Sequence, residues 1–262
     1  DHEKHSLPEE KLTELDKWMI QRAKILQLSI VEDYDNFQFH QAFKKIHNFC
    51  ANDLGGFYLD ILKDRLYTSK TESDARRSSQ TALFHITEAL LRWIAPVLVF
   101  TAEEAWQLHN PKGDSVHLLE WYSDWTDCES SIPNTEWELL LEIRSEINKH
   151  LEASRNSDVI GSALEAEVDV FCSSEIKKVL LKFENELRFV FITSEVKVFD
   201  IEKKGEQTEI KGLRVSIRKT DHKKCDRCWH SRPDVGASKL HESLCKRCIE
   251  NVDGDGEKRN YA

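Results

Sequence analysis

Cys225-Asp-Arg-Cys228 and Cys245-Lys-Arg-Cys248 are two Cys-x-x-Cys pairs separated by sixteen residues. Each pair can present two thiolates to one cation, and the loop between them is long enough to bring the pairs together. The spacing therefore predicts one Zn²⁺ held tetrahedrally by Cys225, Cys228, Cys245 and Cys248. Four thiolates close the coordination sphere and leave no position for water or substrate, so the metal is expected to hold the fold rather than do chemistry. One pair alone could be a redox dithiol, but the matched second pair and the lack of a surrounding strand-helix-strand pattern argue against that use. His222, His230 and His241 flank the pairs and could replace a cysteine, although four thiolates suffice.

Beyond the cysteines the chain offers no catalytic constellation, and no catalytic residue is assigned. His40, His47 and His85 stand singly on helical patterns, and neither a glycine-rich phosphate loop nor a Gly-x-Ser-x-Gly elbow occurs. A net charge of −10 argues against nonspecific nucleic-acid binding, yet residues 218–248 hold nine Lys or Arg against four Asp or Glu, a local surplus of five. Such a patch on an acidic chain suits a module that contacts phosphates; a solvated charged face is the plainer reading.

The elements that must position this module follow from periodicity. Leu15, Met19, Ala23, Leu26 and Ile30 predict an amphipathic helix over about 11–31. Phe39, Phe43, Ile46, Cys50, Leu54, Phe57 and Ile61 keep the same period across Gly55-Gly56, a pair tolerable in a helix only where close packing compensates. Leu83, Ile86, Leu90, Trp93 and Val97 form a third stripe stopped at Pro96, after which Thr101-Ala-Glu-Glu104 reads as a capping box restarting a helix through Trp106. Further helices are expected from Trp137 to Leu151 and from Ile176 to Leu187, with strands at 165–170, 189–193, 195–199 and 210–218.

The expected fold is mainly α: a helical bundle over 1–110, a linker over 111–135 packed on the bundle through its aromatics, a small α+β domain over 136–220, and a four-cysteine zinc finger module over 221–262. Cys50, Cys128 and Cys172 are scattered and the cysteine count is odd, which suits a reducing compartment, and no apolar run approaches the roughly 20 residues needed to cross a bilayer. A cytoplasmic protein without a membrane partner is expected.

Several segments carry a resemblance to a known family. Ile46-His-Asn-Phe-Cys50, Gly56-Phe-Tyr-Leu-Asp-Ile-Leu-Lys-Asp-Arg-Leu-Tyr-Thr68, Arg76-Arg-Ser-Ser-Gln-Thr-Ala-Leu-Phe-His-Ile86 and Glu88-Ala-Leu-Leu-Arg-Trp-Ile-Ala-Pro96 resemble the anticodon-binding helical domain of bacterial isoleucyl-tRNA synthetases. Gly161-Ser-Ala-Leu-Glu-Ala-Glu167, Glu186-Leu-Arg-Phe-Val190, Lys224-Cys-Asp-Arg-Cys-Trp-His230 and the run from Cys248 to Arg259 are similar to the C-terminal part of the same family. The resemblance implies a class I aminoacyl-tRNA synthetase whose catalytic and editing domains are absent. The family's His-Ile-Gly-His and Lys-Met-Ser-Lys-Ser signatures do not occur, so the chain is expected to be an inactive C-terminal fragment of an isoleucine–tRNA ligase. ATP and Mg²⁺ would belong to the missing catalytic domain.

What the resemblance implies for partners is tRNA-Ile, held by its anticodon arm, and the chain's own N-terminal catalytic domain, in a monomer. Arg227 is implied as a base-edge or phosphate contact. Trp229 is implied as a stacking platform, or else it packs over the small core of the zinc module. Lys223, Lys224, Lys246 and Arg247 are candidate phosphate contacts, and Arg76 and Arg77 candidate contacts to the tRNA backbone. Two other readings compete: a zinc-stabilised protein-interaction adaptor, and a DNA-repair glycosylase of the formamidopyrimidine type, whose terminal four-cysteine finger is similar.

Overall fold

The computed structural model describes residues 2–262. The chain is mainly helical, with α1 (His2–His5), α2 (Glu14–Asp35), α3 (Phe39–Asn48), α4 (Leu59–Thr68), α5 (Asp74–Ile94), α6 (Val99–His109), α7 (Asn134–Asn156), α8 (Ser174–Leu181), α9 (Leu187–Val190) and α10 (Lys246–Val252). Strands β1 (Ala166–Cys172), β2 (Glu195–Asp200), β3 (Glu206–Gln207) and β4 (Leu213–Lys219) form one sheet in the order β2-β1-β4-β3. Two compact units divide the chain. One holds the residues up to Lys63 together with Asp74–Ser130, and the other Asp64–Ser73 together with Ser131–Ala262. Among the described residues no helix is long and apolar enough to cross a membrane.

In the first unit, α2 turns Leu15, Met19, Ala23 and Ile30 wholly inward, as its spacing predicts. The core also contains matched polar groups, three of which tie its helices together. Buried Asp16 accepts hydrogen bonds from the Tyr58 hydroxyl at 2.6 Å and from Ser78, whose own oxygen accepts the Thr13 N–H at 2.9 Å. Buried Gln27 donates to the Tyr122 carbonyl at 2.8 Å and accepts the Trp93 indole N–H at 2.9 Å. His85 completes the attachment of the stretch after α6, with Nδ1 2.6 Å from the Tyr122 hydroxyl and Nε2 2.7 Å from Thr126 Oγ1. Unmet, such groups would each cost a desolvation penalty; met, they fix how the helices register.

Three expectations are corrected. The helix expected to run through Gly55-Gly56 is wound as a π-helix over Phe49–Tyr58, where a Cβ on Gly55 would lie 3.1 Å from the Cys50 carbonyl oxygen. The glycines answer that close approach. Thr101 does not cap a helix: Val97 and Leu98 both turn back onto the Ile94 carbonyl, α6 begins at Val99, and Glu103 instead accepts from the Ser115 hydroxyl at 2.8 Å and the Val116 N–H at 3.0 Å. Residues 189–193 are not a strand. Phe189 and Val190 end α9, and Ile192 takes φ 54° as the turn closes through Thr193 N–H onto the Arg188 carbonyl. Phe189, Val190 and Phe191 are buried all round, and a short apolar run of that kind reads alike as strand or buried helix.

The second unit is built on β1, which pairs in parallel with β2 and antiparallel with β4 and buries Val168, Val170 and Cys172 completely. Asp64–Ser73, the last turn of α4 and the loop after it, fold with this unit. Asp64 accepts a bidentate pair from Arg247 at 2.7 and 2.8 Å and a third bond from Arg259 at 2.6 Å. Glu257 accepts from the same two guanidiniums at 3.0 and 2.8 Å. The Phe189 ring lies under both, 3.1 Å from Arg259 and 5.1 Å from Arg247. Burial alone would raise the Asp64 carboxyl, but Arg247 and Arg259 outweigh it and hold the group well below the usual carboxylate range; Glu257 is lowered by the same balance.

Removing one partner from such a buried network leaves uncompensated charge and costs about 3–5 kcal/mol. Asp64→Ala is therefore expected to lower the unfolding free energy of the second unit by that order, measured by denaturant unfolding at neutral pH. Because both folded-state values are depressed, the wild-type stabilisation is fully present above the unfolded carboxylate pKa of about 4 and is lost as pH falls through the folded values. Asp64→Ala should show a correspondingly flatter acid limb.

Candidate metal centre and nucleic-acid interface

The first cysteine pair lies in a small hairpin. Lys224 and Ser231 form an antiparallel bridge, the Cys225 N–H donates to the His230 carbonyl at 2.9 Å, and the Trp229 N–H closes the turn onto the Cys225 carbonyl at 2.9 Å. The second pair sits at the start of α10, with Cys245 as its N-cap and Cys248 in its first turn. The pairs meet: the Cys245 N–H donates to Cys225 Sγ at 3.4 Å, and all four sulfurs lie within 4.8 Å of one another. Each of these cysteines is at most 7% exposed, and Val235 and Leu244 pack against them.

A Zn–S bond of about 2.3 Å in a tetrahedron sets sulfur–sulfur edges of about 3.8 Å. Cys228 and Cys245 are 3.7 Å apart, so the donor set fits that ion in type, number and spacing. Thiolate ligands must shed their protons, so binding of a divalent cation at this cluster is coupled to proton release. The flanking histidines are not among the four donors. His241 Nε2 is 2.5 Å from Asp253, His222 approaches Glu167 at 3.8 Å, and His230 is buried edge-on against Phe189.

The hairpin displays what it does not bury. Trp229 has φ 65°, is 59% exposed, and carries the Lys224 ammonium 5.5 Å from its ring centre. A left-handed backbone at so bulky a residue costs of order 1–3 kcal/mol, which the surrounding turn must supply. Arg227, on the same turn, is exposed and donates to the Thr68 carbonyl at 3.3 Å. Lys223, Lys224 and Lys246 are exposed as well. Arg247 differs: its guanidinium is spent on Asp64 and Glu257 and is 11% exposed, so it braces the module. Arg76 and Arg77 belong to the first unit, half-buried on α5, with Arg77 donating to Gln80 at 2.8 Å.

The residues that sequence reasoning missed are those that seat the module. Asp64, Glu257 and Arg259 surround Arg247, while Ser194 accepts the Ser231 N–H at 2.7 Å and, through its carbonyl, the Arg232 guanidinium at 2.8 Å. Asp64, Glu257 and Arg259 lie in segments that carry the family resemblance, but charged residues in an acidic chain give no sign of which will be paired.

A family model described as the anticodon-binding domain of tRNA ligase matches residues 16–170, and another described as a zinc finger found in FPG and IleRS matches residues 223–251. The chain is 46% identical over 259 residues to an isoleucine–tRNA ligase of Saccharophagus degradans, covering 98% of this chain and 28% of that protein. With an isoleucine–tRNA ligase of Shewanella amazonensis it shares 48% identity over 254 residues, 95% of this chain and 27% of the relative. The chain thus spans about 28% of the length of the curated relatives it matches. The first family match runs over more than half of the residues, from the first turn of α2 through most of β1, and the chain belongs to the anticodon-binding domain family of tRNA ligases.

Proposed function

We propose that this chain is the C-terminal, tRNA-binding part of an isoleucine–tRNA ligase and that it recognises and positions the anticodon stem-loop of tRNA-Ile. The observation that carries the reading is Trp229: an indole held outward at 59% exposure, on a strained turn beside a buried four-cysteine cluster. Unpaired bases of an RNA loop stack on such a ring, and neighbouring cations hold the backbone. Arg227, Lys223, Lys224 and Lys246 are proposed as the phosphate contacts, and Arg76 and Arg77 as backbone contacts from the other unit. The anticodon-binding match over 16–170 favours this role over a protein adaptor or a DNA glycosylase.

Zn²⁺ on Cys225, Cys228, Cys245 and Cys248 has a structural task. It orders a turn that has almost no apolar core of its own, and thereby fixes Arg227 and Trp229 on either side of a ligand. ATP, Mg²⁺ and amino-acid activation belong to the catalytic part of the longer protein, with which this chain would work as a cytoplasmic monomer. The chain alone is inactive in this reading, and purified protein should give no isoleucine-dependent ATP–pyrophosphate exchange.

Metal analysis of reduced protein should find one Zn per chain, and Cys248→Ser should lose it; a metal-free wild type would remove the structural zinc. Trp229→Ala should weaken binding of the anticodon stem-loop by about 1–3 kcal/mol, the worth of one base–aromatic stack, while leaving the zinc content at one. Titration of wild type and variant with cognate and noncognate stem-loops measures this, and equal affinities throughout would take Trp229 out of recognition.

A further inference from the structure

A cleft of about 470 Å³ opens in the second unit between α9, the cysteine hairpin, the start of α10 and the segment around Lys258. Arg188 lines it, half-buried, with its guanidinium 4.6 Å from the Phe189 ring centre. Its Nε is fully buried without a partner, and the side chain makes no hydrogen bond or ion pair among the described residues. An arginine so placed is costly, because desolvation is not repaid by a counter-ion.

Every carboxylate on the cleft wall is engaged elsewhere. Glu257 is held by Arg247 and Arg259, and Glu186 accepts the backbone N–H groups of Asn260, Tyr261 and Ala262. Asp234 accepts the Lys246 N–H at 2.6 Å and Glu250 the Asp255 N–H at 2.9 Å. The sulfur cluster is faced by Arg247. The charges that act most strongly on Arg188 are positive: burial first, then Arg232, Arg247 and Arg259, push its guanidinium down to about 10, against a weaker opposite pull from Asp64. Arg232 spends Nη1 on the Ser194 carbonyl and keeps its other N–H groups, while Lys246 and Lys258 are exposed at the rim.

We infer that Arg188, with Arg232 beside it and Lys246 and Lys258 at the mouth, binds a phosphate group of an RNA backbone in this cleft. The inference rests on the proposed tRNA-binding role and gives that role a residue outside the cysteine hairpin. A phosphodiester supplies what the cleft lacks, namely a compact anion with oxygens spaced for a guanidinium fork. The buried charge is then a cost borne by the unbound protein and recovered on binding.

The test uses the 262-residue chain as wild type, Arg188→Met and Arg188→Lys, with the tRNA-Ile anticodon stem-loop and inorganic phosphate as separate probes. Arg188→Met should weaken stem-loop binding about tenfold or more and lower the slope of log affinity against log salt by about 0.7–0.9, the share of one phosphate contact. Its zinc content should be unchanged and its thermal midpoint equal or higher, since an uncompensated charge has been removed; Arg188→Lys should restore the slope. A wild type that binds with Arg188→Met matching it in affinity and slope overturns this site alone. A wild type with no salt-dependent binding overturns both the site and the function. Loss of zinc or a lower midpoint in Arg188→Met makes Arg188 part of the scaffold and overturns the inference. Stabilisation of wild type by inorganic phosphate, with stem-loop binding indifferent to the substitution, makes this a free-phosphate site and overturns the RNA assignment.

Discussion

The second unit depends on one buried ion pair. Asp64 receives Arg247 in a bidentate grip, and Arg247 stands between Cys245 and Cys248 of the sulfur cluster. A carboxylate in the second half of α4 therefore sets the position of the second cysteine pair, and the first pair must come to it. Arg259 and Glu257 complete the square, and Phe189 excludes water beneath it. Buried pairs of this kind are poor sources of net stability, because desolvation consumes most of the Coulombic gain, but they are intolerant of any other arrangement. Specific placement is the property that the proposed positioning role needs.

The cysteine cluster and the charged square divide the labour of a region too small to have a core. Val235 and Leu244 are the apolar groups packed against the sulfurs, and two partly buried side chains cannot fold some forty residues. Metal ligation would provide the missing cohesion, and the Ser194 bonds to Ser231 and Arg232 join the hairpin to the sheet domain. Surfaces fixed at that many points give side chains little freedom to lose on binding, which favours affinity without added contact area.

Much of this was legible in the residues themselves. The cysteine spacing fixes the donor set because two Cys-x-x-Cys pairs have few other uses, and the three-to-four spacing of Leu15, Met19, Ala23 and Ile30 locates α2 because only one face can be buried. Local signals failed where tertiary contacts decide. The run from Phe189 to Phe191 is apolar on every side, so its period carries no information, and it became a turn of helix under two arginines. Arg247 reads as a surface cation in a basic patch, and nothing nearby in sequence announces a carboxylate 183 residues earlier. Arg188 escaped for the opposite reason: its significance lies in lacking a partner, which only the folded arrangement exposes.

Trp229 carries a further consequence. Its φ of 65° is one that glycine adopts freely and tryptophan does not. Selection for thermal endurance alone would drift toward glycine at this position, gaining relaxed backbone and discarding an exposed aromatic that water solvates poorly. Under the proposed stacking role, position 229 is one where folding and recognition pull in opposite directions, and stabilisation of this module would do well to leave it alone.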